Sequence, residues 1–260
     1  MSSVATEEHN GDFVQSLERG LEVLRAFSQD HPAMTLSDVA RRTGLTRATA
    51  RRLLLTFQRL GYMCTDGKQF ELTPKVLDLG YAYLSSLGIG EIAQPYMEAL
   101  SEQTHESVSI AVLDGDEIVY IARVPTKRIM TISLALGSRL PAASTSMGRM
   151  LLADLAPADL DTFLERVHVL PRTERTVTAP AELRGVIAEA GRQGWTMVDQ
   201  ELEDGVRSIA TALRDRRGRA VAAINVSTHA GRVGLKELRN TFLPALLGTA
   251  AQINARLAKR

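Results

Sequence analysis

Apolar residues recur at three- and four-residue spacing through the first sixty residues. Val14, Leu17, Leu21, Leu24 and Phe27 predict a helix that closes a small core, and Leu36, Val39 and Ala40 predict a second. Ala50, Leu53, Leu54, Phe57 and Leu60 predict a third, with this apolar set packed on the domain. His31-Pro32 breaks the first helix. Thr35, three residues ahead of Asp38, approximates a capping box and starts the second helix at Leu36. Gly44 is free to take positive φ, and Thr46 can accept from an exposed N–H of the third helix. Two short helices joined by a glycine turn form a helix-turn-helix. Residues 62–64 and 69–72 flank Thr65-Asp66-Gly67-Lys68 and predict a hairpin, here a wing with Lys68 at its tip.

After Thr73-Pro74 the pattern predicts a linker helix carrying Val76, Leu77, Leu79, Tyr81, Tyr83 and Leu84, ending near Leu87-Gly88-Ile89-Gly90. From Glu91 helices and strands interleave. Helices are expected at 92–103, 146–153, 157–166 and 181–192, and a last one carries Leu235, Leu238, Phe242, Leu246, Ile253 and Leu257. Strands are expected at 107–113, 118–124, about 129–136, 195–200, 207–213 and 220–227. The expected organisation is α+β: a tail at 1–12, a winged helix-turn-helix at 13–74, a linker helix at 75–90, and an antiparallel sheet covered by helices at 91–260.

Charge changes the picture only locally. The net charge is +1, and residues 1–74 hold nine basic and nine acidic side chains, but residues 41–59 hold six arginines and no acid. On the third helix Ala48, Arg51, Arg52 and Arg59 point away from the apolar set. Thr46, Arg47, Ala48, Thr49, Arg51 and Arg52, with Lys68 of the wing, are therefore the candidate contacts to double-stranded DNA. Cys64 is the sole cysteine, so no internal disulfide is expected. A polar N-terminus and no run of 18 apolar residues point to the cytoplasm rather than a membrane.

No Gly-x-Ser-x-Gly elbow, Walker loop or His-Glu-x-x-His occurs, and the five histidines stand singly. Gly88, Gly90 and Ala93 have dinucleotide-fingerprint spacing, but the segment before them reads as helix where a strand is required. Neither cofactor, metal site nor enzymatic activity is expected. A small-molecule surface is: Ser208, Ala210 and Ala212 share a strand face, as do Val221, Ala223, Asn225 and Ser227, and Ser107 and Ser109 repeat the pattern. Ser144, Thr145 and Ser146 precede a helix whose free N–H groups suit an anion, with the Arg149 charge nearby.

The segments QSLERGLEVLRAF (15–27), LSDVARRTGLTRATARRLLLTFQRLGY (36–62), LTPKVLDLGYAYLSS (72–86) and RLPAASTSMGRMLLA (139–153) resemble the IclR family of transcriptional regulators over about residues 13–258. Residues 91–125 and 198–210 resemble its subgroup that controls aromatic-acid and β-ketoadipate catabolism. The resemblance implies a GAF-like effector domain, a homo-oligomer (dimer or dimer of dimers), RNA polymerase as a partner if the protein activates, and a small aromatic or keto acid as effector. It places effector contacts near Ser146, Met147, Asp199, Ser208, Asn225 and Ser227. Ala143 and Ser144 stand where the subgroup usually has an aromatic residue and a cysteine. An enzyme or storage protein with a sensor-type domain, its N-terminal domain serving only as an interaction module, is the other reading; the arginine cluster argues against it.

Overall fold

The computed structural model describes residues 13–126 and 134–259. The expected tail and most of the strand expected at 129–136 lie outside them. The chain divides into two compact units, one ending at Ser86 and the other starting at Leu87.

In the first unit α1 (Gln15–Arg25), α2 (Leu36–Thr43) and α3 (Arg47–Leu60) enclose Val23, Met34, Val39, Ala50, Leu54 and Met63, all nearly solvent-free. Thr35 and Asp38 form the full capping box: Thr35 Oγ1 accepts from the Asp38 N–H at 3.3 Å, and Asp38 Oδ2 accepts from the Thr35 N–H at 3.2 Å. Gly44 turns the chain at φ 66°, and Thr46 caps α3 by accepting from the Thr49 N–H. The wing strands β2 (Met63–Thr65) and β3 (Gln69–Leu72) are joined by a further strand, β1 (Ala33–Thr35), in the order β1-β3-β2.

Two expectations about helix faces are corrected. On α1 the buried residues are Gly20 and Val23, with Phe27 just beyond the helix, whereas Val14, Leu17 and Leu21 are exposed. The inward face is the one on which Gly20 sits, against Phe57 and Leu53 of α3. On α3 Leu60 is exposed, because it sits in the last turn, past the reach of the small core. The linker also differs. A 3₁₀ turn at Pro74–Val76 leads into α4 (Leu77–Leu87), and Gly88 at φ 58° is followed at once by α5 (Ile89–Thr104), three residues earlier than expected.

The second unit is a six-stranded antiparallel sheet in the order β6-β5-β4-β9-β8-β7. Its strands are β4 (Ser107–Asp114), β5 (Glu117–Val124), β6 (Arg139–Pro141), β7 (Trp195–Asp199), β8 (Val206–Arg214) and β9 (Ala220–His229). One face carries α5 and the long C-terminal run of α9 (Leu235–Glu237), a π-helical turn (Leu238–Phe242) and α10 (Leu243–Leu257). The other carries α6 (Ser146–Leu152), with α7 (Pro157–Arg166) and α8 (Pro180–Gln193). The short strand β6 occupies a stretch expected to be loop.

Register explains why α6 lies so close. Ala111 of β4, Ala223 of β9 and Ala212 of β8 are aligned across the sheet, with Ala210 beside them, and the thin floor admits Met147, Met150 and Leu151 of α6. Every residue of α6 is buried. Gly148 faces the 3₁₀ turn Ala142–Ser144, where an added Cβ would lie 2.1 Å from the Ala142 carbonyl oxygen. Backbone cannot yield as a flexible side chain does, so Gly148→Ala is expected to cost more than the roughly 1–3 kcal/mol of ordinary overpacking. Chemical denaturation followed by near-UV circular dichroism checks this; a variant as stable as the parent would show that α6 can shift without loss.

Candidate functional site

The first candidate surface is the N-terminal half of α3. Arg47, Arg51 and Arg52 are exposed and form no ion pair among the described residues, whereas Arg41 is paired with Asp38 at 2.6 Å. Ala48 is exposed, Thr49 half-buried, and Thr46 holds the helix end through Thr49. Lys68 is exposed at the wing, whose turn is built on Asp66: its Oδ1 accepts from the Lys68 and Gln69 N–H groups at 2.8 and 2.7 Å. Those backbone bonds hold the Asp66 carboxyl below its ordinary pKa. All seven residues expected to meet DNA thus lie on α3, at its cap or at the wing tip, and the cations among them have no carboxylate partner among the described residues.

The second is a small cavity of about 40 Å³ on the α6 side of the sheet. Ser208 and Asn225, with Ser227, form its polar floor; Ser144 and Thr145 form one wall, and Leu202 and Val206 another. The floor is a matter of register, since Ser107 pairs with Ser227 and Ser227 with Ser208, while Ser109 pairs with Asn225. Asn225 is 4% exposed; its Nδ2 donates to Ser227 Oγ at 3.0 Å, and its Oδ1 has no hydrogen-bond partner among the described residues. A buried amide oxygen without a donor is costly, so this atom is primed for a guest that supplies one.

The other expected effector residues are placed differently. Ser146 is bonded to Ser208 at 2.8 Å and so touches the cavity only through it. Met147 is in the core against the alanine floor. Asp199 lies at the end of β7, paired with Arg207 at 2.6 Å and Arg175 at 2.9 Å. Burial works against its ionised form, but the Arg207 hydrogen bond and the two guanidinium charges outweigh it and keep the carboxyl below its ordinary pKa. Thr145 Oγ1 is engaged with the Gly148 N–H and the Ala142 carbonyl.

Arg149 is the clearest correction. It is 2% exposed, and it donates from Nη1 and Nη2 to both oxygens of Glu201 at 2.7 and 2.6 Å and from Nε to the Ala143 carbonyl at 2.9 Å. A guanidinium so engaged has no free fork for an anion. Sequence reasoning also missed the apolar lining, Tyr120, Leu134, Leu140, Val198, Leu202 and Val206, which comes from four separate segments. Burial raises the Tyr120 phenol to about 12, against the field of Arg123, so it remains a neutral hydroxyl.

Residues 16–67 match the IclR helix-turn-helix domain, and residues 81–255 match the bacterial transcriptional regulator IclR C-terminal domain. The chain belongs to the IclR family. It is 46% identical over 243 residues to the Pca regulon regulatory protein of Pseudomonas putida, covering 93% of this chain and 84% of that one. It is 33% identical over 247 residues to the p-hydroxybenzoate hydroxylase transcriptional activator of Acinetobacter baylyi, covering 93% and 91%. Its fold superposes with a TM-score of 0.84, at 26% identity and over 93% of this chain and 98% of the other, on an IclR homolog from Microbacterium hydrocarbonoxydans complexed with 4-hydroxybenzoate. This IclR-family protein is therefore a DNA-binding transcriptional regulator, and the proteins it matches are named as regulators rather than enzymes. No helix among the described residues is long and apolar enough to cross a membrane.

Glu201 answers Arg149 and also accepts from the Val177 N–H at 3.1 Å. Replacing one member of such a buried pair strands the other charge, at a cost of about 3–5 kcal/mol. Glu201→Gln is expected to lower the urea midpoint accordingly, and Arg149→Met with Glu201→Leu together to regain much of the loss. Equal stability of Glu201→Gln and the parent would refute this role.

Proposed function

We propose that this regulator controls genes of aromatic-compound catabolism in response to a small aromatic or keto acid, the class of protocatechuate, 4-hydroxybenzoate and β-ketoadipate. The observation that carries the reading is the unpartnered Asn225 Oδ1, buried in a polar-floored cavity of a chain whose relatives are named for the Pca regulon and p-hydroxybenzoate hydroxylase. Support also comes from the fold it shares with a protein complexed with 4-hydroxybenzoate.

On the DNA side, Arg47, Arg51 and Arg52 read guanine edges or clamp phosphates from the major groove, Thr46, Ala48 and Thr49 approach the same groove, and Lys68 meets the backbone beside it. On the effector side, Ser144, Ser208, Asn225 and Ser227 surround the acid, with Ser146 behind Ser208. An acid that binds one arrangement of paired DNA-binding domains better than another shifts the population between them, and with it operator affinity. The cavity of about 40 Å³ has room for a few waters, whereas small-molecule sites span roughly 300–1,000 Å³. Binding must then displace its walls, and this is the differential interaction such a shift requires.

Arg51→Ala and Arg52→Ala are each expected to lose about 1–3 kcal/mol of discrimination between operator and mutated operator, and Lys68→Ala to weaken all sequences alike and lower the salt slope by about one. Fluorescence anisotropy across a salt series measures both; unchanged affinity and base preference in the two arginine variants would remove α3 from the groove.

Calorimetric titration of protocatechuate, 4-hydroxybenzoate and β-ketoadipate into the full chain tests the effector reading. Asn225→Leu is expected to weaken the binding acid by about tenfold or more, because the guest loses the acceptor for its donor. Equal heats for parent and variant would exclude this cavity, and silence from every acid would exclude the ligand class.

A further inference from the structure

An organic acid needs a cation, and the cavity's own wall does not supply one: Arg149 is spent on Glu201, and Arg207 on Asp199 and the Val233 carbonyl. A third arginine on the sheet is in a different state. Arg123 of β5 is half-buried, its Nε is inaccessible to solvent without a hydrogen-bond partner, and it makes no ion pair among the described residues. Burying a guanidinium nitrogen without an acceptor is unfavourable, and here burial lowers the Arg123 pKa.

The β4–β5 register places Arg123 on the cavity side. Ser109 pairs with Arg123 and Ala111 with Tyr120, and a bulge between Ile110 and Ala111 leaves Ile121 unopposed. Strict alternation would put Tyr120 and Arg123 on opposite faces; the bulge brings both onto the face of Ser109 and Ala111. Ser109 in turn pairs with Asn225. Arg123, Ser109 and Asn225 therefore form one row across three strands, with Arg123 and Asn225 two strand spacings apart, roughly 10 Å. Tyr120, which lines the cavity, interacts electrostatically with Arg123.

Among the described residues, the two groups left without partners on this sheet face are thus a donor and an acceptor: the Arg123 Nε–H, carrying charge, and the Asn225 Oδ1. We infer that Arg123 holds the carboxylate of the effector and Asn225 accepts from a hydroxyl at its far end. This rests on the effector reading above and sharpens it. The ligand class is a rigid acid with a hydrogen-bond donor opposite its carboxylate, for which a para-hydroxylated benzoate has the right pair of groups. Orientation follows as well: the ring lies over Ser109 and beside Tyr120, and the hydroxyls of the 144–146 segment need not carry the charge.

The test compares 4-hydroxybenzoate with the neutral 4-hydroxybenzamide by calorimetry on the full-length protein, for the parent, Arg123→Gln and Arg123→Lys. The parent is expected to favour the acid. Arg123→Gln is expected to lose about ten- to a hundredfold in affinity for the acid, as befits a charge-assisted hydrogen bond. It should lose little for the amide, so that the preference collapses, while Arg123→Lys restores part of it. The melting temperature without ligand and operator affinity show that each variant is folded. An acid preference intact in Arg123→Gln, or equal losses for acid and amide, overturns the assignment while leaving the effector reading standing. A parent that binds neither compound, nor protocatechuate nor β-ketoadipate, overturns the effector reading and this assignment with it.

Discussion

The C-terminal unit is organised around one buried ion pair. Helix α6 is buried at every position, yet it carries Arg149 at its centre, a charge that could not stay there unanswered. Glu201 answers it with both oxygens, and the Ala143 carbonyl takes the remaining Nε–H. Three separate segments are thereby tied to one side chain: the turn before α6, the loop after β7, and, through Val177 and the Thr173 and Thr176 hydroxyls, the stretch before α8. The first supplies Ser144 and Thr145 to the cavity, and the second supplies Leu202 and Val206. Apolar residues of the same volume could give equal stability. They would not fix the direction in which these segments meet, and that direction makes the walls.

The floor follows a different rule. Side chains opposite one another on adjacent strands must share space, and here alanine and serine alternate with asparagine over β4, β9 and β8. The alanine end is filled by the methionines of α6, while the serine and asparagine end stays open. A single sheet face thus serves as core at one end and as the floor of the cavity at the other. Gly148 belongs to the core end: it lets the helix sit on its own preceding turn, so that Ser144 and Thr145 reach the rim.

What could be read from the residues alone was whatever is decided locally. The Thr35–Asp38 capping box, Gly44, the Thr46 cap and the Asp66-Gly67 turn each act within four residues, and all stand where the spacing put them. The strand faces holding Ser208, Asn225 and Ser227 were legible because period two is local too. Non-local features were hidden. Strands β1 and β6 have three residues each and exist only because β3 and β5 offer them partners. The choice between the two apolar stripes of α1 depends on which face meets Leu53 and Phe57, far along the chain. Arg149 read as a free cation because its partner is 52 residues away. Tyr120 and Arg123 were invisible for a subtler reason, the Ile121 bulge, which reverses the alternation on which face assignments rest.

The small volume of the cavity constrains how the proposed response could arise. A ligand shifts an equilibrium only by the difference in its affinity for the two states, and it binds weakly when the state that fits it is rare. A cavity of about 40 Å³ is well below the roughly 300–1,000 Å³ of small-molecule sites, so the proposed effector would need an arrangement in which the walls stand further apart. The wall that can give is limited by what is anchored. Ser144 and Thr145 are held through Arg149 and the α6 cap, and the floor is sheet. The loop from Gln200 to Val206 closes on itself through Gln200 N–H to the Val206 carbonyl and Gly205 N–H to Gln200 Oε1, with Gln200 at a left-handed φ of 61°. That backbone conformation stores strain in a residue other than glycine. Leu202 rides on this loop between two fixed points, so displacing it means rearranging a strained closure rather than sliding a side chain, and such a closure has alternatives that are discrete rather than graded.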